Sequence, residues 1–589
     1  MAGLEWWQRG VFYQIYPRSY ADSNGDGIGD LPGMTSQLDY LADLGIDALW
    51  LSPFFSSPQH DCGYDVSDYT DVAPEYGTMA DLRTFLDQAH ARNIRVIFDL
   101  VLNHTSHEHP WFRESRSSLD NPKRDWYIWR DGQAEGPPNR WMSCFGGPAW
   151  EYDGTTGQYY YHYFLKQQPD LNWRNPQVRQ EMYRVVRFWL DYGVDGFRLD
   201  APGTLFEDRD LRDPTETRSQ VELFLALRNA SSAEEFQRAS QDLERLYERQ
   251  VEQPEVHEVM RELRQLVDTY DDRVLVGEVD DLAYHGDGSN ELHLVFNFPL
   301  LRTERLGPAH VRANQRDRLA RLPPGAWPCN TLGNHDTSRL RSHFGDGEHD
   351  AELTRLAAAL TLTLRGTPFL YYGEEIGMSD LLLTDLTQVR DEFSRRLYEL
   401  ETRLAGSLPA VALRHAVEHG RDKCRTPMQW NALPGAGFSP PDVQTWLPIH
   451  PSFAHGVSVE EQRGTKGSLL EFYRSLLQLR RRSPALLGGS WSLVDADSAD
   501  VLAFVRTAPE QTMLVILNWS RHSQSVDVAS RLGRPQGCSD SASLAPDSAL
   551  CARVRLSTHH AVAESLDLCR VDVAPYEVLI AELERSGGS

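Results

Sequence analysis

The sequence predicts an α/β fold: a (β/α)8 TIM barrel with an inserted small domain after strand 3, a lid-like subdomain after strand 8 and a C-terminal antiparallel β domain. Three observations predict it. Runs rich in Val, Ile, Leu and Phe alternate with longer amphipathic stretches, the pattern of repeated βα units around a parallel sheet. Eight such runs occur, the number that closes a barrel. Three of them deliver a carboxylate, Asp200, Glu278 and Asp336, at or just past a strand end. In a parallel barrel that end is where loops build the reactive face.

The strands are expected at 11–16, 48–53, 96–102, 196–200, 274–279, 294–298, 330–334 and 368–372, and helices at 33–44, 78–92, 176–192, 255–269 and 350–364. The connection after the third strand, 103–172, is crowded with Trp, Tyr, Pro and Gly and is too long for an ordinary loop, so it is expected to form a domain of its own. A second excursion, 379–448, contains a charged helical stretch at 387–404 and reads as a lid-like subdomain within the barrel. From 488 to 589 the texture changes to short alternating runs separated by turn residues, which predicts the β domain. The barrel then comprises 1–102 and 173–487. The Ser-rich stretch 539–543 reads as a surface loop, and a charged helical excursion at 232–250 interrupts the approach to the Glu278 strand.

Composition narrows the function classes. With 59 Lys and Arg against 85 Asp and Glu, the formal charge is −26, which repels nucleic acid and anionic membrane surfaces. No apolar run reaches transmembrane length, and residues 1–9 lack a basic segment followed by an apolar one, so no secretory signal is expected. Seven sparse cysteines without metal-type spacing suit a reducing cytoplasm. The glycine-rich segments do not follow a strand-to-helix dinucleotide fingerprint, so no organic cofactor is expected.

Side chains two apart on a strand share a face, which puts Arg198 beside Asp200. The guanidinium is expected to hold Asp200 ionised and oriented, as a carboxylate nucleophile requires. Glu278 follows an apolar strand, where a carboxyl group tends to stay protonated and suits a general acid. Two carboxyl groups with split roles are the equipment of glycoside hydrolysis, and a third can steady a positive transition state. A single strand-end Asp is more often a cap or an ion-pair partner; three together make that reading improbable. Separately, Asp22-Ser23-Asn24-Gly25-Asp26-Gly27-Ile28-Gly29-Asp30 sets oxygen ligands at alternate positions with glycine at the sixth, like the start of a calcium loop. Gly33 stands where an EF-hand has glutamate, and an Asx-rich turn without metal is the competing account.

An ordered set of motifs resembles the α-amylase superfamily of glycoside hydrolases, in its α-glucosidase and oligo-1,6-glucosidase branch. The set comprises Val11-Phe12-Tyr13-Gln14-Ile15-Tyr16-Pro17, Asp99-Leu100-Val101-Leu102-Asn103-His104, Gly196-Phe197-Arg198-Leu199-Asp200, Gly277-Glu278-Val279, Asn334-His335-Asp336 and Arg425-Thr426-Pro427-Met428-Gln429-Trp430. The resemblance implies a retaining double displacement with Asp200 as nucleophile, Glu278 as acid and then base, and Asp336 as stabiliser. Arg198, His104 and His335 would surround the glucose, Asp61 and Arg425 would close the pocket at its non-reducing end, and Tyr64 would stack on the ring. Phe145 is expected to approach the pocket. The resemblance also implies a structural Ca2+ held by Asp22, Asn24, Asp26, the Ile28 carbonyl and Asp30, with Mg2+ the alternative ion. Ala201 after the nucleophile resembles α-1,4-preferring members. The expected activity is exo-acting release of α-glucose from short α-glucosides, with transglucosylation. A glucosyltransferase or sucrose-type isomerase, and a non-catalytic carbohydrate-binding relative, are the alternatives.

Overall fold

The structure is a computed structural model, and it describes residues 3–133, 136–494, 498–532 and 550–585. The Ser-rich stretch 539–543 lies outside the described residues. Eight parallel strands form the central sheet: β1 (Phe12–Ile15), β2 (Ala48–Leu51), β3 (Arg95–Val101), β4 (Gly196–Asp200), β5 (Val274–Gly277), β6 (Leu294–Val295), β7 (Cys329–Thr331) and β8 (Thr367–Tyr371). Their order is β6-β5-β4-β3-β2-β1-β8-β7. A side chain just past β6 bridges to β7, the other outermost strand: Asn297 Nδ2 donates to Asn330 Oδ1 at 3.1 Å.

Both faces of such a sheet are buried, which accounts for apolar runs rather than strict alternation. The helices cover the outside with amphipathic faces. The helix Pro176–Asp191 buries Val178, Met182, Val185, Val186, Trp189 and Leu190 at helical spacing; Asn175 caps it and Pro176 starts it. The helix Met79–Ala91 begins in a capping box in which Thr78 accepts from the Asp81 N–H and the Asp81 carboxylate accepts from the Thr78 N–H. Inside the barrel, Phe12 stacks on Phe369 at 4.5 Å, and Trp50 and Phe296 close the same aromatic layer. That layer is the floor of the site.

Register brings the site together. Gln14 lies opposite Trp50 in the β1–β2 ladder, Asp99 opposite Arg198 in β3–β4, and Arg198 opposite Val276 in β4–β5. Polar side chains at these positions therefore meet above the aromatic floor.

Several elements differ from expectation. The helix at 33–44 is two, Leu31–Ser36 and Leu38–Leu44, separated at Gln37. The sixth strand is two residues long because Asn297 and Pro299 open a helical turn, Phe298–Leu301. The 387–404 stretch forms Glu392–Arg403, paired with a second helix, Pro409–His419. The excursion at 232–250 is the second of two helices, Gln220–Arg228 and Ala233–Tyr247. Residues 103–172 contain a three-stranded antiparallel sheet ordered Trp129–Arg130, Gln158–Tyr161, Trp150–Asp153.

The C-terminal sheet comprises β9 (Ser490–Leu493), β10 (Val501–Ala508), β11 (Gln511–Asn518), β12 (Leu550–Ser557), β13 (Ser565–Asp567) and β14 (Val578–Arg585), ordered β9-β10-β11-β14-β12-β13. Arg506 on β10 joins it to the barrel. Its buried guanidinium donates to the carbonyls of Thr363 and Leu364, both at 2.7 Å, at the end of the helix Asp350–Thr363. A cation there satisfies orphan carbonyls and meets the negative end of the helix dipole.

Candidate active site

One guanidinium organises the catalytic end of the barrel. Arg198 is fully buried, its Nη1 bonded to Asp99 Oδ1 at 2.6 Å and to Asp200 Oδ1 at 2.7 Å, while its Nη2 reaches Glu278 Oε2 at 2.8 Å. Its plane lies over Trp50, whose indole N–H donates to Asp99 at 3.1 Å. Glu278 also accepts from the N–H of Ala201 at 3.0 Å, so the residue after Asp200 ties the two carboxylates together. Ala201 holds a left-handed backbone (φ 36°), which turns the chain sharply out of β4 to aim that N–H.

This arrangement corrects two expectations. Glu278 does not sit in apolar surroundings; its carboxylate is ion-paired. Asp200 is not held below the usual carboxylate range. Burial pushes it well above, with Arg198 opposing and the Glu278 and Asp99 carboxylates adding to the rise. Burial likewise pushes Asp99 up to about 6 against the pull of Arg198. One cation shared by several carboxylates cannot neutralise them all, so the protons of Asp99 and Asp200 belong to the two together.

The opposite wall carries Asp336. Burial would raise its carboxyl, but the guanidiniums of Arg425 and Arg421 hold it below the usual range. Arg425 Nη2 bonds Asp336 Oδ1 at 2.5 Å and its Nε donates to the His335 carbonyl at 2.8 Å. Burial keeps His335 neutral. Gln14 Nε2 lies 2.7 Å from its Nδ1, which places the ring proton on Nε2, 2.5 Å from the Tyr64 hydroxyl and 3.3 Å from Asp336. Tyr64 stacks on this imidazole with centroids 5.6 Å apart. His104, pushed down to about 3 by burial, lies 3.1 Å from the Tyr64 carbonyl.

Exposure ranks the three carboxylates: the side chains of Asp200, Glu278 and Asp336 are 9%, 23% and 31% exposed. Asp200 is thus at the base, and the other two are reachable from the mouth.

Asp61 is buried and ion-paired to the lid. Its partner is Arg421, at 2.8 Å, whereas Arg425 serves Asp336. Arg421 additionally binds Asp391 at 2.7 Å, and Gln168 Nε2 reaches both Asp61 at 3.2 Å and His104 at 3.0 Å. Phe145 packs beneath the Arg421 guanidinium at 5.2 Å. Arg421, Asp391 and Gln168 were not singled out in the sequence, because they join the site only through the lid and the inserted segment. Asp99 was readable as a strand residue opposite Arg198 once register was known. The helix Gln220–Arg228 backs this rim: Gln220 donates to the Ser143 carbonyl at 2.8 Å and accepts from the Gly147 N–H at 3.1 Å, and Arg228 pairs with Glu401 at 2.8 Å.

The loop 22–30 does not gather its carboxylates. Asp22 accepts from the N–H groups of Gly25 and Gly27 and from the Ser439 hydroxyl, Asp26 from the Ile28 N–H, and Asp30 from Ser23 and Gly33. Among the described residues, Asp22, Asp26 and Asp30 do not form a three-ligand group within 4.8 Å. The loop still offers only oxygen donors, with Asn24 and the Ile28 carbonyl among them, the chemistry a hard divalent cation prefers. It is tied to the lid by Asp22 N–H to the Phe438 carbonyl at 2.9 Å and by Trp446 N–H to the Gly27 carbonyl at 3.0 Å.

A parallel eight-stranded barrel with buried carboxylates gathered on one arginine at the strand ends defines a glycosidase-type site. Residues 14–489 match the catalytic domain of the alpha-amylase family. The chain is 42% identical over 527 residues to a probable alpha-glucosidase of Rhizobium meliloti, covering 88% of this chain and 90% of that one. It is 38% identical over 533 residues to an oligo-1,6-glucosidase of Parageobacillus thermoglucosidasius, covering 87% and 90%. Among solved structures it resembles the trehalulose synthase MutB of Pseudomonas mesoacidophila MX-45, with a TM-score of 0.84 and 34% identity over 99% of this chain and all of that one. The chain belongs to the alpha-amylase family and is a glycoside hydrolase. Among the described residues no helix is long and apolar enough to cross a membrane.

Proposed function

We propose that this protein is a retaining, exo-acting α-glucosidase that releases α-D-glucose from the non-reducing end of short α-glucosides, α-1,4-linked ones by preference. The observation that carries the reading is the bridging of Asp200 and Glu278 by the two ends of one guanidinium. Carboxyl groups held that close support a direct nucleophile, for which the separation is ~5–5.5 Å, rather than an inverting pair at ~6.5–9.5 Å with water between them. Asp200 attacks the anomeric carbon while Glu278 protonates the departing oxygen. Water, deprotonated by Glu278, then cleaves the glucosyl ester on the same face. Asp336 stabilises the oxocarbenium-like state, with Arg425 orienting it. His104, His335 and Tyr64 line the sugar, and the Asp61–Arg421 pair, resting on Phe145, blocks the pocket beyond a single glucose unit.

A second reading has its own support, because a MutB variant was solved in complex with the substrate sucrose and that protein is a trehalulose synthase. The same covalent intermediate serves transfer to a sugar hydroxyl, and the 201–257 segment reaches the acceptor rim through Gln220. Proton NMR of fresh maltose turnover decides. α-Glucose as the first anomer supports the proposal. β-Glucose first overturns it, and new linkages from maltose or sucrose in place of free glucose move the activity to transfer or isomerisation. The six described cysteines are free, which supports a reducing, cytoplasmic setting.

We also propose that the loop 22–30 binds Ca2+ as a structural ion through Asp22, Asn24, Asp26, the Ile28 carbonyl and Asp30, Mg2+ being the alternative. The ion would reinforce the anchorage of the lid and take no part in the chemistry. After chelation, Ca2+ at 100 times its Kd should add about 2.7 kcal/mol of stability. The gain should disappear in Asp26→Ala with kcat of the folded enzyme unchanged. Equal melting of the chelated and Ca2+-loaded protein would remove the proposal.

A further inference from the structure

We infer that a second cation site, for Zn2+, lies behind the loop that carries Asp61 and Tyr64 and is formed by His60, His107 and Glu108. One ligand atom from each of these side chains lies within 4.8 Å of the other two. The imidazole centroids are 5.4 Å apart, and His107 Nε2 stands 3.9 Å from Glu108 Oε1. Among the described residues neither ring makes a hydrogen bond to another group, so the nitrogens are available. Arg113 holds the other oxygen of Glu108 at 3.2 Å, which leaves Oε1 turned toward His107. Small rotations about the side-chain torsions bring two imidazoles and a carboxylate to the ~2.0–2.2 Å that zinc requires, with water as the fourth ligand. Two nitrogens and one oxygen fit a borderline cation such as Zn2+ and do not fit Ca2+, which takes oxygen alone.

The position gives the site a consequence. His60 directly precedes Asp61, on the loop that also carries Tyr64. The N–H of His107 donates to the Gln167 carbonyl at 2.8 Å, next to Gln168, which contacts both Asp61 and His104. An ion across His60 and His107 therefore clamps the loop after β2 to the inserted segment, joining two walls of the pocket that are otherwise linked by hydrogen bonds such as Ser106 N–H to the Val66 carbonyl at 2.8 Å.

The test is calorimetric titration of the chelated full-length chain with ZnCl2, for the wild type and for His60→Ala and His107→Ala, followed by Co2+ absorption spectra. The wild type should bind an ion that raises its melting temperature. Each variant should lose affinity by at least the ~10–100-fold that even an indirect partner of a metal contributes. Both variants should turn over substrate like the wild type in the absence of metal, since neither residue touches the sugar pocket. Binding that is absent, or unchanged in both variants, overturns the inference. So does a thiolate-to-cobalt charge-transfer band, which would put the ion on a cysteine.

Discussion

Asp200→Asn should lower kcat by at least about 10^4-fold, the scale seen when a residue acting in the bond-forming step is removed, while melting at pH 7 at or above the wild-type temperature. The second half of the expectation follows from the burial of the carboxyl. Its folded-state pKa is raised, so the folded protein binds its proton more readily than the unfolded chain, and above the ordinary carboxylate range the charge costs stability. A neutral amide removes that cost, so catalytic loss without destabilisation separates a reacting group from a structural one. Stereochemistry sharpens the result. In Asp200→Gly, azide supplied with an activated aryl α-glucoside should enter from the face the carboxylate occupied and yield β-glucosyl azide. In Glu278→Gln the nucleophile is intact, and azide acting on the intermediate should give the α product. Exchange of those two outcomes would exchange the roles of Asp200 and Glu278, and residual kcat within tenfold of wild type in Asp200→Asn would remove Asp200 from the chemistry.

The barrel and its carboxylates were legible because both depend on local signals. A strand buried on two faces has to be an apolar run, and an acidic residue ending it is conspicuous; Gly196–Asp200 shows both features in five residues. What stayed hidden depends on distant packing. Arg421 stands four residues before Arg425 in the same lid segment, and only the folded chain shows that Arg421 takes Asp61 while Arg425 takes Asp336. The helix Gln220–Arg228 was missed because its Leu223-Phe224-Leu225-Ala226-Leu227 run has no amphipathic period; both Gln220 and Leu223 are buried. The electrostatic error had a similar origin. Arg198 was correctly set beside Asp200, but the sequence could not show that Asp99 and Glu278 would draw on the same guanidinium. Polar residues that read as separate motifs are one charge cluster.

That cluster makes Arg198→Met the most damaging substitution expected outside the nucleophile. Removing one partner of a buried ionic network costs about 3–5 kcal/mol because the remaining charges lose compensation, and here three carboxylates lose their one shared cation. The variant should unfold at correspondingly lower urea, and the deficit should depend on pH in a defined direction. Without the guanidinium, Asp99 and Asp200, already raised by burial, rise further. Groups with raised folded-state pKa values stabilise the fold fully below the unfolded carboxylate range and lose that contribution as pH climbs through the folded value. The deficit of Arg198→Met should therefore be smallest near pH 4–5, around the unfolded carboxylate range, and largest at neutral pH and above. The same shift moves catalysis. Because Asp200 must be ionised to attack, the acid limb of kcat/KM should move to higher pH in Arg198→Lys, whose single ammonium cannot bridge three carboxylates as the planar fork does. A limb that stays in place, or moves to lower pH, would show that Arg198 does not set the protonation of the nucleophile. Stability that is lost equally at pH 5 and pH 8 would show that its role is packing against Trp50 and not charge.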